Sequence, residues 1–156
     1  MPGGAIAVAS DHAGFDLKEI LKRDLQEAGH EVLDLGTNST ASVDYPDFGK
    51  AMGEAIASGK AARGVLVCGS GVGMSIAANR HAGIRCALAN DTTTARLCRE
   101  HNDANVVAMG ARLIDEAPAR EILRLFLATG FEGGRHVGRL EKLSPAKTLA
   151  AQPVTV

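Results

Sequence analysis

At 156 residues with 46% hydrophobic content, the chain is long enough to bury one sizeable core and short for two, so a single domain is expected. A formal net charge of -1, with acids and bases interspersed, excludes a global field that would draw the protein to nucleic acid or to a membrane, so an anionic partner has to be caught locally. Three cysteines, Cys68, Cys86 and Cys98, form an odd set without CxxC spacing, which speaks against a disulfide framework and structural zinc and for a reducing compartment.

The chain opens on Met-Pro-Gly-Gly, without a basic leader, and no apolar stretch approaches the roughly 20 residues a membrane span needs, so a cytoplasmic location is expected. Ala5 to Ser10 reads as a short apolar strand that runs into Asp11-His12-Ala13-Gly14. Leu17, Ile20, Leu21, Leu25 and Ala28 then mark one face of a helix stopped by Gly29. Val32 to Leu35 is a second strand, followed by a polar loop from Gly36 to Tyr45 that is long for its place and therefore a candidate binding loop. Pro46 opens a helix with Phe48, Met52 and Ile56 turned inward.

Gly64 to Cys68 is a third strand, apolar and rich in β-branched residues, and Ile76 to Asn79 has the Ala-rich look of a helix. Between them Gly69, Gly71 and Gly73 alternate with Ser70 and Val72, so the backbone can take positive φ and its N–H groups can converge before a helix N-terminus. That is a place for negative charge. Cys68 sits directly before it, at a strand end where the amide field favours a thiolate. The turn lacks the G-x-G-x-x-G spacing of a dinucleotide fingerprint and the Gly-Lys-Ser/Thr of a Walker loop. By itself it also fits tight packing around a small buried thiol.

Ile84 to Ala89 is a fourth strand, Asp91 caps a helix that runs to about Glu100, and His101-Asn102-Asp103 follows. Val106 to Met109 is the fifth strand, and Pro118 starts a helix with Ile122, Leu123, Leu125 and Phe126 on its apolar face. Arg135 and Arg139 are four apart, so on a helix they share a face suited to a phosphate or to solvent. The domain ends near residue 143, and 144–156 reads as a loose tail or a contact for a partner chain. Regular alternation of strand and helix predicts an α/β, Rossmann-like three-layer sandwich: a five-stranded parallel sheet with helices on both faces and ligands beyond the strand carboxyl ends. Asp11, His12, Cys68, Ser70 and Arg112 all collect there.

Five separated motifs carry a resemblance. They are Ser10 to Phe15, Asp44-Tyr45-Pro46, Cys68 to Gly73 with Ile76 to Asn79, the stretch Arg99 to Asp103, and Glu132-Gly133-Gly134-Arg135-His136. Together they resemble the ribose-5-phosphate isomerase B group, which also includes galactose-6-phosphate and allose-6-phosphate isomerases. The resemblance implies a cofactor-free, metal-free interconversion of ribose 5-phosphate and ribulose 5-phosphate, a step of the pentose phosphate pathway. A six-carbon sugar phosphate, allose 6-phosphate or galactose 6-phosphate, is the alternative substrate. A non-catalytic phosphosugar- or nucleotide-binding module and a Cys-His hydrolase are the competing classes.

Residue by residue, the resemblance makes Cys68 the base that moves a proton between C2 and C1 through a cis-enediolate, with Ser70 beside it. The amides of Gly69, Ser70, Gly71, Val72, Gly73 and Met74 become the oxyanion hole. In some members a glutamate in this turn is the base, but Met74 stands in its place here. His101 takes the ring-opening acid-base role, with Asp11 near the ring hydroxyls and Asn102 and Tyr45 holding sugar hydroxyls. His12, Arg112, Arg135 and Arg139 bind phosphate, with His136 a weaker candidate. His30 and His81 are expected at the surface, and Cys86 and Cys98 in packing. The resemblance also implies a homodimer or dimer of dimers whose sites draw on two chains.

Overall fold

The computed structural model of the chain describes residues 4–143. Its first strand, β1 (Ala5–Ser10), is buried at every position, and such a continuous run of small and β-branched side chains suits a strand covered on both faces. After it come α1 (Phe15–Glu27), β2 (Val32–Asp34), α2 (Tyr45–Ala57), β3 (Ala61–Cys68) and α3 (Val72–Asn79). The second half supplies β4 (Cys86–Leu88), α4 (Thr92–Glu100), β5 (Val106–Gly110), α5 (Glu116–Ala128) and α6 (Arg135–Lys142). The five strands form one sheet in the order β2-β1-β3-β5-β4, and every pairing is parallel.

Helices cover both faces, as the alternation of elements requires. On one face α1, α4 and α5 lay Leu21, Leu25, Cys98, Ile122 and Phe126 over Val8, Val65, Val67 and Val107. On the other, α2 and α3 press Met52, Met74 and Ala78 onto Ala7, Ala9, Leu66 and Ala108. Three of the four sheet residues named on this second face are alanines, which lets its two helices sit close. The chain leaves β1 for one edge of the sheet and β3 for the other, so a crevice opens between these strands at their carboxyl ends.

Several boundaries differ from the expected ones. β3 begins earlier, at Ala61, because its backbone already pairs there with Ala5 of β1, and Arg63 turns its guanidinium onto the carbonyls of Phe126 and Leu127 at the end of α5. β4 is only three residues long, an edge strand paired on one side. α5 starts at Glu116, with Pro118 inside the first turn where its missing N–H costs nothing. Arg135 and Arg139 do fall on a helix, α6. The tail 144–156 lies outside the described residues. Among the described residues, no helix is long and apolar enough to cross a membrane.

Candidate active site

The crevice holds a cavity of about 360 Å³ lined by Asp11, Tyr45, Cys68, Ser70, Gly73 and Arg112. Its floor is the turn after β3. Gly71 adopts φ +83°, a left-handed conformation that glycine takes without strain, and this swings its amide back to donate to Cys68 Sγ at 3.2 Å. The Ser70 hydroxyl accepts from the Val72 amide at 3.2 Å. The N-cap of α3 is Gly71, which has no side chain to occupy the first-turn donors, so the amides of Gly73 and Met74 stay uncapped; Gly73 lines the cavity, while Met74 is buried behind it.

Neighbouring strands brace this turn. The amides of Ala111 and Arg112 donate to the carbonyls of Cys68 (2.9 Å) and Gly69 (3.0 Å), which brings the Arg112 guanidinium over Gly69. Asn90 accepts from the Gly110 amide at 2.8 Å and donates to the Ser70 carbonyl at 3.0 Å. It ties the end of β5 to the glycine turn, and nothing in its local sequence announced that role. Asp11 is buried and accepts from the Gly14 amide at 3.0 Å. His12 Nδ1 accepts from the Val43 amide at 3.2 Å, so a neutral His12 carries its proton on Nε2, as a donor. Tyr45 packs its ring on Gly73, where a Cβ would come within 2.7 Å of it.

The remaining candidates lie elsewhere on the same chain. His101, Asn102, Arg135, His136 and Arg139 surround a second cavity of about 440 Å³. The reason is the direction of α4: it starts beyond the carboxyl end of β4 and runs back along the sheet, so its nine residues carry His101 about 13 Å toward the amino ends of the strands. Cys68 and His101 are therefore not brought together within one chain. Arg99, only 5% exposed, fixes this corner by donating to Asp103 Oδ1 at 2.8 Å and to the Ala104 carbonyl at 2.6 Å. Arg85 adds bonds to the carbonyls of Asn102 (3.0 Å) and Asp103 (2.9 Å).

His136 lines the same cavity as Arg135 and Arg139 but, unlike them, is packed inward. It is buried, and its ring stacks on that of His101 at 4.5 Å between centroids and 17° between planes. Burial first, then the nearby Arg135 and His101, hold its pKa below the ordinary imidazole value. Glu132 completes a His101-Glu132-His136 group whose donor atoms lie within 4.8 Å of one another. Both Nε2 atoms approach the same Glu132 oxygen, His101 at 3.6 Å and His136 at 3.7 Å.

The other two cysteines are unsuited to chemistry. Burial pushes the Cys86 thiol to about 12 and the Cys98 thiol to about 11. His30 and His81 are each partly exposed and line neither cavity, His81 packing against α2 at Gly53.

Against known proteins, residues 6–143 match the sequence profile of a family described as Ribose/Galactose Isomerase. The Escherichia coli protein named ribose-5-phosphate isomerase B is 43% identical, the match covering 89% of this chain and 93% of that one. A Pectobacterium atrosepticum protein named D-erythrulose-4-phosphate isomerase is 41% identical over 89% of this chain and 92% of its own. Among solved structures, a ribose 5-phosphate isomerase from Thermotoga maritima superposes with a TM-score of 0.89 at 50% identity, covering 91% of this chain and 98% of the other. Fold and crevice define an α/β enzyme of the sugar-phosphate isomerase class. The chain belongs to the ribose/galactose isomerase family.

Proposed function

We propose that the chain interconverts ribose 5-phosphate and ribulose 5-phosphate by proton transfer at Cys68. An aldose and its ketose have the same composition, so the reaction needs no external oxidant or reductant. A base breaks the C2–H bond and returns a proton to C1, while the C2 hydroxyl proton passes to O1. The observation that supports Cys68 in this role is the Gly71 amide donating to its sulfur in the crevice cavity that Asp11, Ser70 and Arg112 also line. In this reading that amide fixes the sulfur through its N–H, and the uncapped first-turn amides of α3 serve the enediolate oxygen. Asp11 and Tyr45 line the same wall for sugar hydroxyls, and His12 and Arg112 supply donors for a phosphate.

His101 has to reach this cavity from a second copy of the chain. In this reading the partner brings His101 and Asn102 for ring opening and Arg135 and Arg139 to the phosphate. Exposed apolar side chains flank both halves: Val72 and Ile76 beside the crevice, Val137 and Leu143 beside the second cavity. Pairing would cover them, which supports a homodimer.

The Pectobacterium relative's name points to a four-carbon substrate and the family description to six-carbon ones, so the substrate test is a comparison of kcat/KM. Ribose 5-phosphate is expected to exceed allose 6-phosphate, galactose 6-phosphate and a four-carbon 4-phosphate. A higher value for any of these would reassign the substrate, and no turnover of any would reduce the chain to a binding module.

A further inference from the structure

Glu132 occupies a place that the reaction scheme has not used. Its backbone N–H donates to the Glu100 carbonyl at 3.0 Å, which fastens the segment before α6 to the last residue of α4, next to His101. Its Oε1 lies 3.6 Å from His101 Nε2 and 3.7 Å from His136 Nε2. Both separations are just beyond a hydrogen bond, and a small side-chain rotation closes either.

Other acids around this corner are occupied. Glu100 is held by Arg96 at 2.7 Å, and Asp103 by Arg99 at 2.8 Å and Arg85 at 3.5 Å. Arg135 and Arg139 face the same cavity from α6 and carry the opposite sign. Glu132 is thus the carboxylate presented to the imidazoles. His136, buried against the His101 ring, fixes the plane of that ring and leaves its Nε2 edge toward Glu132.

A ring-opening acid-base must take a proton from one sugar oxygen and deliver one to another, which requires a defined nitrogen with a free lone pair. We propose that Glu132 is a positioning residue that keeps the proton of neutral His101 on Nε2, leaving Nδ1 to exchange protons with the sugar, while the His136 ring buttresses it. The assignment rests on the ring-opening role given to His101 above. Neither Glu132 nor His136 reacts with substrate in this scheme. The carboxylate acts through the imidazole, as orienting groups do in other acid-base sites.

Imidazole ¹⁵N spectra of the full chain without substrate read the tautomer directly, with His101 identified by its loss in His101→Asn. Neutral His101 is expected as the Nε2–H form in the wild type and as a mixture in Glu132→Ala, whose site is half exposed and so tolerant of truncation. On ribose 5-phosphate the variant should lose about ten-fold in kcat with KM little changed, less than the roughly hundred-fold or more that removing an acid-base group itself costs. A four-carbon aldose 4-phosphate cannot close a five-membered ring, because the required hydroxyl is esterified, so its turnover should be spared. Glu132→Asp should recover part of the loss. An unchanged tautomer in Glu132→Ala, or equal losses on both sugars, would overturn the proposal. A wild type inactive on ribose 5-phosphate would instead sink the functional reading, while the spectra still decide the role of Glu132.

Discussion

Cys68 and His101 stand toward opposite ends of the same parallel sheet, one at the carboxyl end of β3, the other past the end of α4, which runs back toward the strand amino ends. No rotamer change joins them within a chain. If both serve one reaction, two chains must share each site, and two separately inactive variants should rescue each other. Cys68→Ala mixed with His101→Asn, after subunit exchange, should regain about a quarter of wild-type activity: half the dimers are mixed and each has one intact site of two. A mixture as inactive as its components would contradict sharing.

Arg112 lies over Gly69 at the rim of the cavity, on the chain that carries Cys68. Losing one charge-assisted contact to a phosphate costs about 1.5–3 kcal/mol, roughly ten- to a hundred-fold in affinity. Arg112→Ala should therefore raise KM for ribose 5-phosphate by that factor, with a smaller change in kcat. Steady-state kinetics on ribose and ribose 5-phosphate check this, since equal activity on the two sugars in the wild type would remove the phosphate clamp.

Asn90 makes two bonds that join β5 to the glycine turn, and only one of them survives in Asn90→Asp. A carboxylate still accepts from Gly110 but cannot donate to the Ser70 carbonyl, and it repels that oxygen. The turn should loosen and kcat fall about ten-fold, as expected when preorganised donors shift. A variant with wild-type kcat would show that the turn holds its shape without this bridge.

Below the binding loop, Lys18 is 1% exposed and donates to Asp34 at 2.9 Å and to the Thr37 carbonyl at 2.7 Å. Burial works against the Asp34 carboxylate, but hydrogen bonds from Lys22, the Gly36 amide and Lys18 outweigh it and hold its pKa below the ordinary value of 3.8. A depressed folded pKa means that this stabilisation is complete above the unfolded pKa and is lost as pH falls through the folded one. Asp34→Asn takes the nearer counter-charge from the buried Lys18 ammonium, leaving only Glu19 at 3.7 Å, and should cost about 3 kcal/mol at neutral pH. Urea denaturation at pH 7 and pH 3 tests this: the gap between wild type and variant should narrow at the lower pH, and a constant gap would show that the charge is irrelevant.

Much of the architecture was legible because each layer writes its own period. Runs such as Ala5 to Ser10 and Gly64 to Cys68 read as buried strands, Leu17, Leu21 and Leu25 as a helix face, and the glycines after Cys68 as a turn with positive φ. Asp11, Cys68 and Arg112 could be grouped from strand ends alone. What the sequence concealed depends on direction and on neighbours distant along the chain. That His101 lies toward the other end of the sheet from Cys68 follows from α4 running antiparallel to the strands, a direction that local periodicity does not report. That α6 turns His136 inward onto His101 while Arg135 and Arg139 stay exposed was not readable from their spacing alone. Lys18 reads as an ordinary charged helix residue until Asp34, 16 positions later, is seen to face it. Glu132 and Asn90 carry no local signal at all, since their partners are backbone groups or rings on other elements.

The claim on which the account turns is that the Cys68 sulfur, held by the Gly71 amide, moves the proton. Turnover of ribose 5-phosphate by Cys68→Ala, measured beside its affinity for the sugar phosphate, tests it most directly. The account predicts that kcat falls by at least about a hundred-fold, the lower bound for loss of a general base, while affinity stays within a few-fold of the wild type. Wild-type turnover in Cys68→Ala would contradict it.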